Sequence, residues 1–223
     1  MKAVSVIIVA GGAGKRMGRP KQMLLIGAKA VLARSVEAMA AVKPAQIIVV
    51  TAPDIFTKLS KTYAGLEYAP AGQTRLQSVI NGVSKVSPKS KLIAVHDGAR
   101  PFVSPAAALA CLKAAAKNKA AVLAAPVKDT IKVVKSGRVV KTLDRALLYA
   151  AQTPQCYRAQ TLKAALKKYG RLKNATDESQ LVEKMGVKVA AVLSGYENIK
   201  ITTPEDLIFA DAICKTKKKN KLK

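Results

Sequence analysis

"AVSVIIVAGGAGKRMGRPKQ", residues 3–22, runs from a Val/Ile-rich segment straight into a loop with four glycines, four cations and one proline. Val and Ile pack well on a pleated surface, so the segment predicts a buried strand. Glycines directly behind a strand let the backbone turn and come close to a neighbouring group. Lys15, Arg16 and Lys21 then surround whatever the loop holds, and this joint placement points to a polyphosphate rather than a plain surface turn.

Working outward, the strand is followed by a helical stretch, "AKAVLARSVEAMAAV", and the alternation repeats. "QIIVVT" precedes "PDIFTKLSKTYA", "LEYAP" precedes "TRLQSVINGVSKV", and "KLIAVHDG" precedes "SPAAALACLKAAAKNK", before the run "AAVLAAPV". Continuous apolar strands joined by crossover helices predict an α/β fold, Rossmann-like, with a mostly parallel sheet flanked by helices. Ser104 and Thr203 are N-cap candidates with Pro105 and Pro204 behind them, and Glu205 and Asp206 suit the positive end of the last helix. From about 129 to 148 the pattern changes, because "TIKVVKSGRVVKTL" reads as two strands around Ser136-Gly137. This predicts a projecting β-arm. A two-stranded ribbon is marginal alone, so Ile131, Val133, Val134, Val139 and Val140 need another surface, which a homodimer supplies. The rest predicts helices over "AQTLKAALKKYG" and "TDESQLVEKMG", strands over "KVAAVLSG" and "NIKIT", and a helix over "PEDLIFADAICK". Residues 1–214 read as one domain, and "KTKKKNKLK", residues 215–223, as a basic tail that frays.

Composition narrows the class. A chain of 223 residues, 50% of them hydrophobic, can bury a full core. No apolar run is long enough to span a bilayer and no secretory pattern precedes the first strand, so the expected location is the cytoplasm, with no membrane partner. Cys111, Cys156 and Cys214 are far apart and accompanied by one histidine, which favours reduced structural thiols over a metal site. Lys and Arg number 39 against 13 acids, a net charge of +26 that invites a nucleic-acid reading. Aromatics are only 4%, with no Trp and no reading module, so no specific nucleic-acid partner is expected. Salt-sensitive RNA adhesion is the expected side effect.

Two common phosphate loops fail on the residues. A Walker A loop built on Gly14-Lys15 needs Gly at 9 and Ser or Thr at 16, where the chain has Val9 and Arg16. A dinucleotide fingerprint starting at Gly12 meets Met17 in place of its third glycine, and the second strand ends in Thr51 with no acid for a ribose. The pattern GG-x-G-x-R-M followed by P-K-Q instead resembles the signature loop of the sugar nucleotidyltransferases.

Further segments occur in the order found in the 2-C-methyl-D-erythritol 4-phosphate cytidylyltransferase family: "AGQTRLQSV" (71–79), "VHDGARPFV" (95–103), "APVKDTIKVV" (125–134), "TLDRALLYAAQTPQCY" (142–157), "ATDESQLVEKMG" (175–186) and "NIKITTPEDL" (198–207). The resemblance spans about residues 3–213. Ribitol 5-phosphate cytidylyltransferase shares most of it, but "PVKDTIK" with "TLDRALLYAAQTPQ" is more similar to the methylerythritol enzymes.

The resemblance implies joining CTP to methylerythritol phosphate with release of pyrophosphate, assisted by Mg²⁺ or another divalent cation. It implies that Arg16, Lys21 and Lys200 are catalytic, and that Ala10, Gly11, Gly12, Gly14, Lys15, Gly72, Gln73, Ser78 and Asp97 hold CTP. Where some relatives have an acid the chain has Gln73, which weakens a side-chain role in base reading there. Asp97 is also the candidate metal ligand, and the neighbouring His96 reads as structural. Arg100, Thr130, Arg145, Thr153 and Thr176 match positions around the second substrate, with Arg145 and Thr176 reaching across a dimer. The loops at 11–21, 70–72, 96–100 and 126–130 all follow predicted strands, and open α/β sheets bind ligands at the carboxyl ends of strands. One cleft is therefore expected.

Overall fold

Val4, Val6 and Ile8 face one side of the first strand and Ile7 the other, all of them essentially without solvent contact, so helices must cover both faces. The computed structural model describes residues 3–12, 14, 17–18, 20–172 and 175–219, and the side chains of these to 217. In chain order the elements are β1 (Val4–Val9), β2 (Leu25–Ile26), β3 (Lys29–Ala30), α1 (Val31–Ala40), β4 (Gln46–Thr51), α2 (Pro53–Ser60), β5 (Leu66–Pro70) and α3 (Arg75–Ser84). They continue with β6 (Leu92–Asp97), α4 (Pro105–Asn118), β7 (Ala120–Pro126), β8 (Lys132–Lys135), β9 (Arg138–Thr142), β10 (Tyr149–Arg158), α5 (Ala159–Tyr169), α6 (Glu178–Glu183), β11 (Ala190–Leu193) and α7 (Glu205–Lys219).

A seven-stranded sheet has the order β11-β7-β10-β6-β1-β4-β5. All its pairings are parallel except those of β10, which runs antiparallel to both β6 and β7. Residues of α1, α2 and α4 pack on Val4, Val6 and Ile8, while residues of α3, α5 and α6 pack on Ile7, Ile48 and Ile93. A third cluster joins α7 to the β2–β3 ribbon through Ile26, Val31, Phe102, Ile201, Ala210 and Cys214. The chain leaves β1 toward β4 and β5 and then returns to place β6 on the other side. That reversal opens a crevice beyond the carboxyl ends of β1 and β6.

Several elements depart from the sequence reading. β10, central in the sheet, is not predicted, because Pro154 and the polar Gln152 and Gln155 interrupt its pattern. The strand accommodates them with a register shift between Ala151 and Gln155. "NIKIT" is no strand; a backbone bond from Ile201 N to Ala99 O at 2.8 Å ties it to the loop behind β6, beside a local one from Asn198 N to Gly195 O at 3.4 Å. Ser104 caps α4 as expected, accepting from the Ala107 N–H. At α7 the roles are reversed, since the Asp206 carboxylate accepts from the N–H groups of Thr202 and Thr203 at 2.7 and 2.8 Å. Helix α7 also continues through 215–219, where a fraying tail is expected; residues 220–223 lie outside the described residues. The arm is present as β8 and β9, turning at Ser136 and Gly137, both with positive φ. Its Val134, Val139 and Val140 stand well exposed.

Candidate active site

The glycine loop is shaped from beneath by Gln22. This side chain, 5% exposed, donates from Nε2 to Ala10 O at 2.5 Å and to Gly12 O at 2.6 Å. Gly11 is packed against the loop behind β5, where a Cβ would come within 2.5 Å of the Ala71 Cβ. Gly12, by contrast, has no described residue within 4 Å of where its Cβ would be, and it lines the cleft. Lys21 lines the same cleft. Lys15 and Arg16 lie outside the described residues.

A second wall comes from the β5–α3 connection. Thr74 caps α3 by accepting from the Gln77 N–H at 3.0 Å, and Ser78 accepts from the Gly72 N–H at 2.9 Å while donating to Thr74 O at 3.0 Å. Ser78 is 2% exposed, so its hydroxyl holds the loop from behind while Gly72 and Gln73 line the cleft. Gly72 itself is tight, since a Cβ there would meet the Gln77 Cβ at 2.5 Å.

The floor is the end of β6. Asp97 Oδ1 takes Arg75 Nε and Nη2, each at 3.1 Å, and Oδ2 takes Lys200 Nζ at 2.7 Å with Arg100 Nε at 4.0 Å. Burial opposes ionisation of Asp97, but the charges of Arg75, Lys200 and Arg100 outweigh it and hold the carboxyl well below the usual carboxylate range. His96 is fully buried. A carbonyl only accepts, so its Nε2–H donates to Arg100 O at 3.1 Å; Nδ1 then accepts from the Thr153 hydroxyl at 3.0 Å, whose oxygen accepts the Asp97 N–H at 3.0 Å. Burial pushes the imidazole down to about 4, and it is neutral at ordinary pH. The chain of bonds makes His96 a support for Asp97, as the sequence suggested.

Lys200 is delivered by the segment after β11. Asn198 anchors it, donating to Gln152 Oε1 at 2.8 Å and Thr153 O at 3.0 Å, and the register shift in β10 is what aims these two residues inward. Arg100 braces the same segment, donating to Asn198 O at 2.7 Å and Ala151 O at 3.3 Å.

The cleft thus formed measures about 620 Å³, within the range that holds a nucleotide-sized ligand. Of the expected site residues it brings together Ala10, Gly11, Gly12, Gly14, Lys21, Gly72, Gln73, Ser78, Asp97 and Lys200. Arg100 and Thr153 stand behind Asp97 as supports instead of lining the cleft. Thr130, Arg145 and Thr176 are exposed away from it, Arg145 donating to Lys128 O at 2.8 Å and Thr176 bonded to Gln180 at 2.9 Å. Sequence reasoning missed Arg75, Gln22, Asn198 and Glu178. Glu178 is wholly buried at the start of α6 with Oε1 on Arg75 Nη1 at 2.5 Å, and burial pushes its carboxyl up against the pull of Arg75.

As a metal site the donor set is sparse. Among the described residues no group of three or more His, Cys, Asp or Glu side chains converges, and Asp97 is the one acid lining the cleft. One carboxylate completed by substrate phosphates and water is an ordinary complement for Mg²⁺, so the residues fit a nucleotide-borne ion and not a resident one.

A parallel sheet with a glycine loop behind its first strand, opening on fixed cations, is the architecture of a nucleotidyltransferase. The family model for 2-C-methyl-D-erythritol 4-phosphate cytidylyltransferase matches residues 4–216. A protein of that name from Endomicrobium trichonymphae is 44% identical, covering 95% of this chain and 99% of the relative. A crystal structure of 4-diphosphocytidyl-2C-methyl-D-erythritol synthase from Anaerococcus prevotii superposes with a TM-score of 0.85 at 35% identity, covering 96% of this chain and 99% of that one. A crystal structure of the cytidylyltransferase from Thermus thermophilus gives 0.79 at 29% identity, with coverage of 94% and 98%. The chain belongs to the 2-C-methyl-D-erythritol 4-phosphate cytidylyltransferase family, and the ribitol phosphate alternative is not favoured. Among the described residues no helix is long and apolar enough to cross a membrane.

Proposed function

We propose that the cleft joins CTP to 2-C-methyl-D-erythritol 4-phosphate by fixed charge, without a general base. An oxygen of the substrate phosphate attacks the α-phosphorus of CTP. The bond from that phosphorus to the β-bridging oxygen breaks, and pyrophosphate leaves with the electron pair. A phosphate monoester is largely dianionic above its second pKa of about 6, so no residue has to remove a proton. The observation that carries this reading is the state of the two candidate bases: Asp97 is committed to Arg75 and Lys200, and His96 is buried with both ring nitrogens bonded.

Negative charge accumulates between two anions and the leaving group, and cations that meet it in place lower the barrier. Arg16 and Lys21 serve the α-phosphate and the departing pyrophosphate, and Lys200 the incoming phosphate. Gly11, Gly12, Gly14 and Lys15 cradle the triphosphate, while Gly72 and Gln73 meet the base and Asp97 the ribose. Mg²⁺ would arrive with the nucleotide phosphates, Asp97 would be the residue to hold it, and it would supply further charge neutralisation. The exposed valines of the arm support a homodimer in which Arg145 and Thr176 of each chain serve the partner's site, with Thr130 beside them. The cytoplasm is the compartment that fits three buried free thiols.

The test is pyrophosphate release with CTP and Mg²⁺, offering methylerythritol phosphate or ribitol 5-phosphate, with Arg16→Ala as the blank. Turnover confined to the first substrate is expected. Turnover preferring ribitol phosphate, or none with either, contradicts the assignment.

A further inference from the structure

Arg75 reaches two carboxylates from opposite edges of one guanidinium. Nη1 meets Glu178, 103 residues away in sequence, while Nε and Nη2 both grip Asp97 Oδ1 at 3.1 Å. Because Oδ1 is fixed in this way, Oδ2 is left to hold Lys200 Nζ at 2.7 Å. Glu178 is entirely buried, and among the described residues its Oε2 has no hydrogen-bond partner. A carboxylate is costly to bury with one oxygen unsatisfied, and a well-packed apolar residue would anchor α6 at least as well. The placement is accounted for if the charge is needed where it is.

We propose that Glu178 is a positioning residue for Lys200, acting through Arg75 and Asp97. Arg75 lines the cleft with its side chain 27% exposed, at the first turn of α3. Without Glu178 the guanidinium is drawn to the anionic triphosphate. It then binds the nucleotide in its ground state, releases Asp97 Oδ1 and lets Lys200 leave its place. Glu178 turns this cation away from the substrate and makes it part of the scaffold, so that Lys200 meets the phosphates in a set position. The inference rests on the assignment of Lys200 to the reacting phosphates.

The test separates kcat from KM for CTP in the full chain, with Glu178→Gln, Arg75→Lys and Lys200→Ala beside the unaltered protein. Glu178→Gln keeps the shape and removes the charge; kcat is expected to fall about tenfold or more while KM for CTP also falls. A merely structural role lowers the active fraction and the melting temperature and leaves KM where it was. Unchanged kcat, or a loss of kcat with KM level or raised, overturns the proposal. Should Glu178→Gln fail to fold, Arg75→Lys decides, since a point charge cannot grip two carboxylates at once. A drop in its kcat of about tenfold supports the relay, and unaltered kcat overturns it. Full activity in Lys200→Ala would instead remove the assignment beneath the proposal.

Discussion

Asp97 has a cation on each oxygen, and at the residue scale that arrangement makes the site electrostatic. Lys21→Ala is expected to lower kcat by about a hundredfold or more, the usual effect of deleting a preorganised charge at a developing anion, with the melting temperature little changed. Steady-state pyrophosphate release beside a thermal melt checks both halves. His96 gives a pH prediction. Its folded pKa, about 4, lies below the ordinary imidazole value of about 6.5, so between these two pH values the unfolded chain binds a proton that the native chain refuses. Its contribution to stability is whole above pH 6.5 and is lost as the pH falls toward 4, up to about 3 kcal/mol in all. Urea titrations at pH 7 and pH 4.5 should show a larger drop in the unaltered protein than in His96→Gln. That Gly11, Gly12, Gly14 and Lys21 share one cleft wall was legible because they are neighbours in sequence. Arg75 and Glu178 were not, because 103 residues separate them and an Arg at the start of a helix looks like any solvated charge.

The elements aim these residues, and their errors of reading have physical causes. β10 was invisible because a proline between polar residues argues against a strand, yet the irregular register around Pro154 is what turns Gln152 and Thr153 toward the site. "NIKIT" looked like a strand from its Ile spacing, but Asn198 and Arg100 hold it by side-chain bonds that leave Lys200 over the cleft. The parallel strands and their crossover helices, by contrast, were plain in the alternation, since both faces of the sheet are covered and the strands are mostly apolar, with polar residues chiefly at their ends. The β5–α3 turn yields a third prediction. Gly72→Ala drives a methyl group into the Gln77 side chain and backbone, at 2.5 to 2.8 Å. It should cost about 1–3 kcal/mol and raise KM for CTP more than it lowers kcat, as urea melts and initial rates will report.

On the scale of the whole molecule, the arm exposes Val134, Val139 and Val140 at 57 to 62%, alongside Leu147 at 79%. On the proposed reading, a second copy covers these valines and gives Arg145 and Thr176 a site to serve. Val139→Asp is expected to yield a monomer by sedimentation with little turnover. Mixing inactive Lys200→Ala and Arg145→Ala chains should restore about a quarter of full activity, because half the dimers then hold one complete site. The charge of +26 is spread far beyond this site, and raising salt should strip adhering RNA without loss of turnover. The central claim, catalysis by fixed charge with no protein base, is tested most directly by the pH dependence of kcat/KM for methylerythritol phosphate between pH 5 and 9. The account predicts one rise, near the second ionisation of a phosphate monoester at about 6, and then a plateau that His96→Gln leaves in shape. A further protein ionisation that vanishes with that substitution would contradict it.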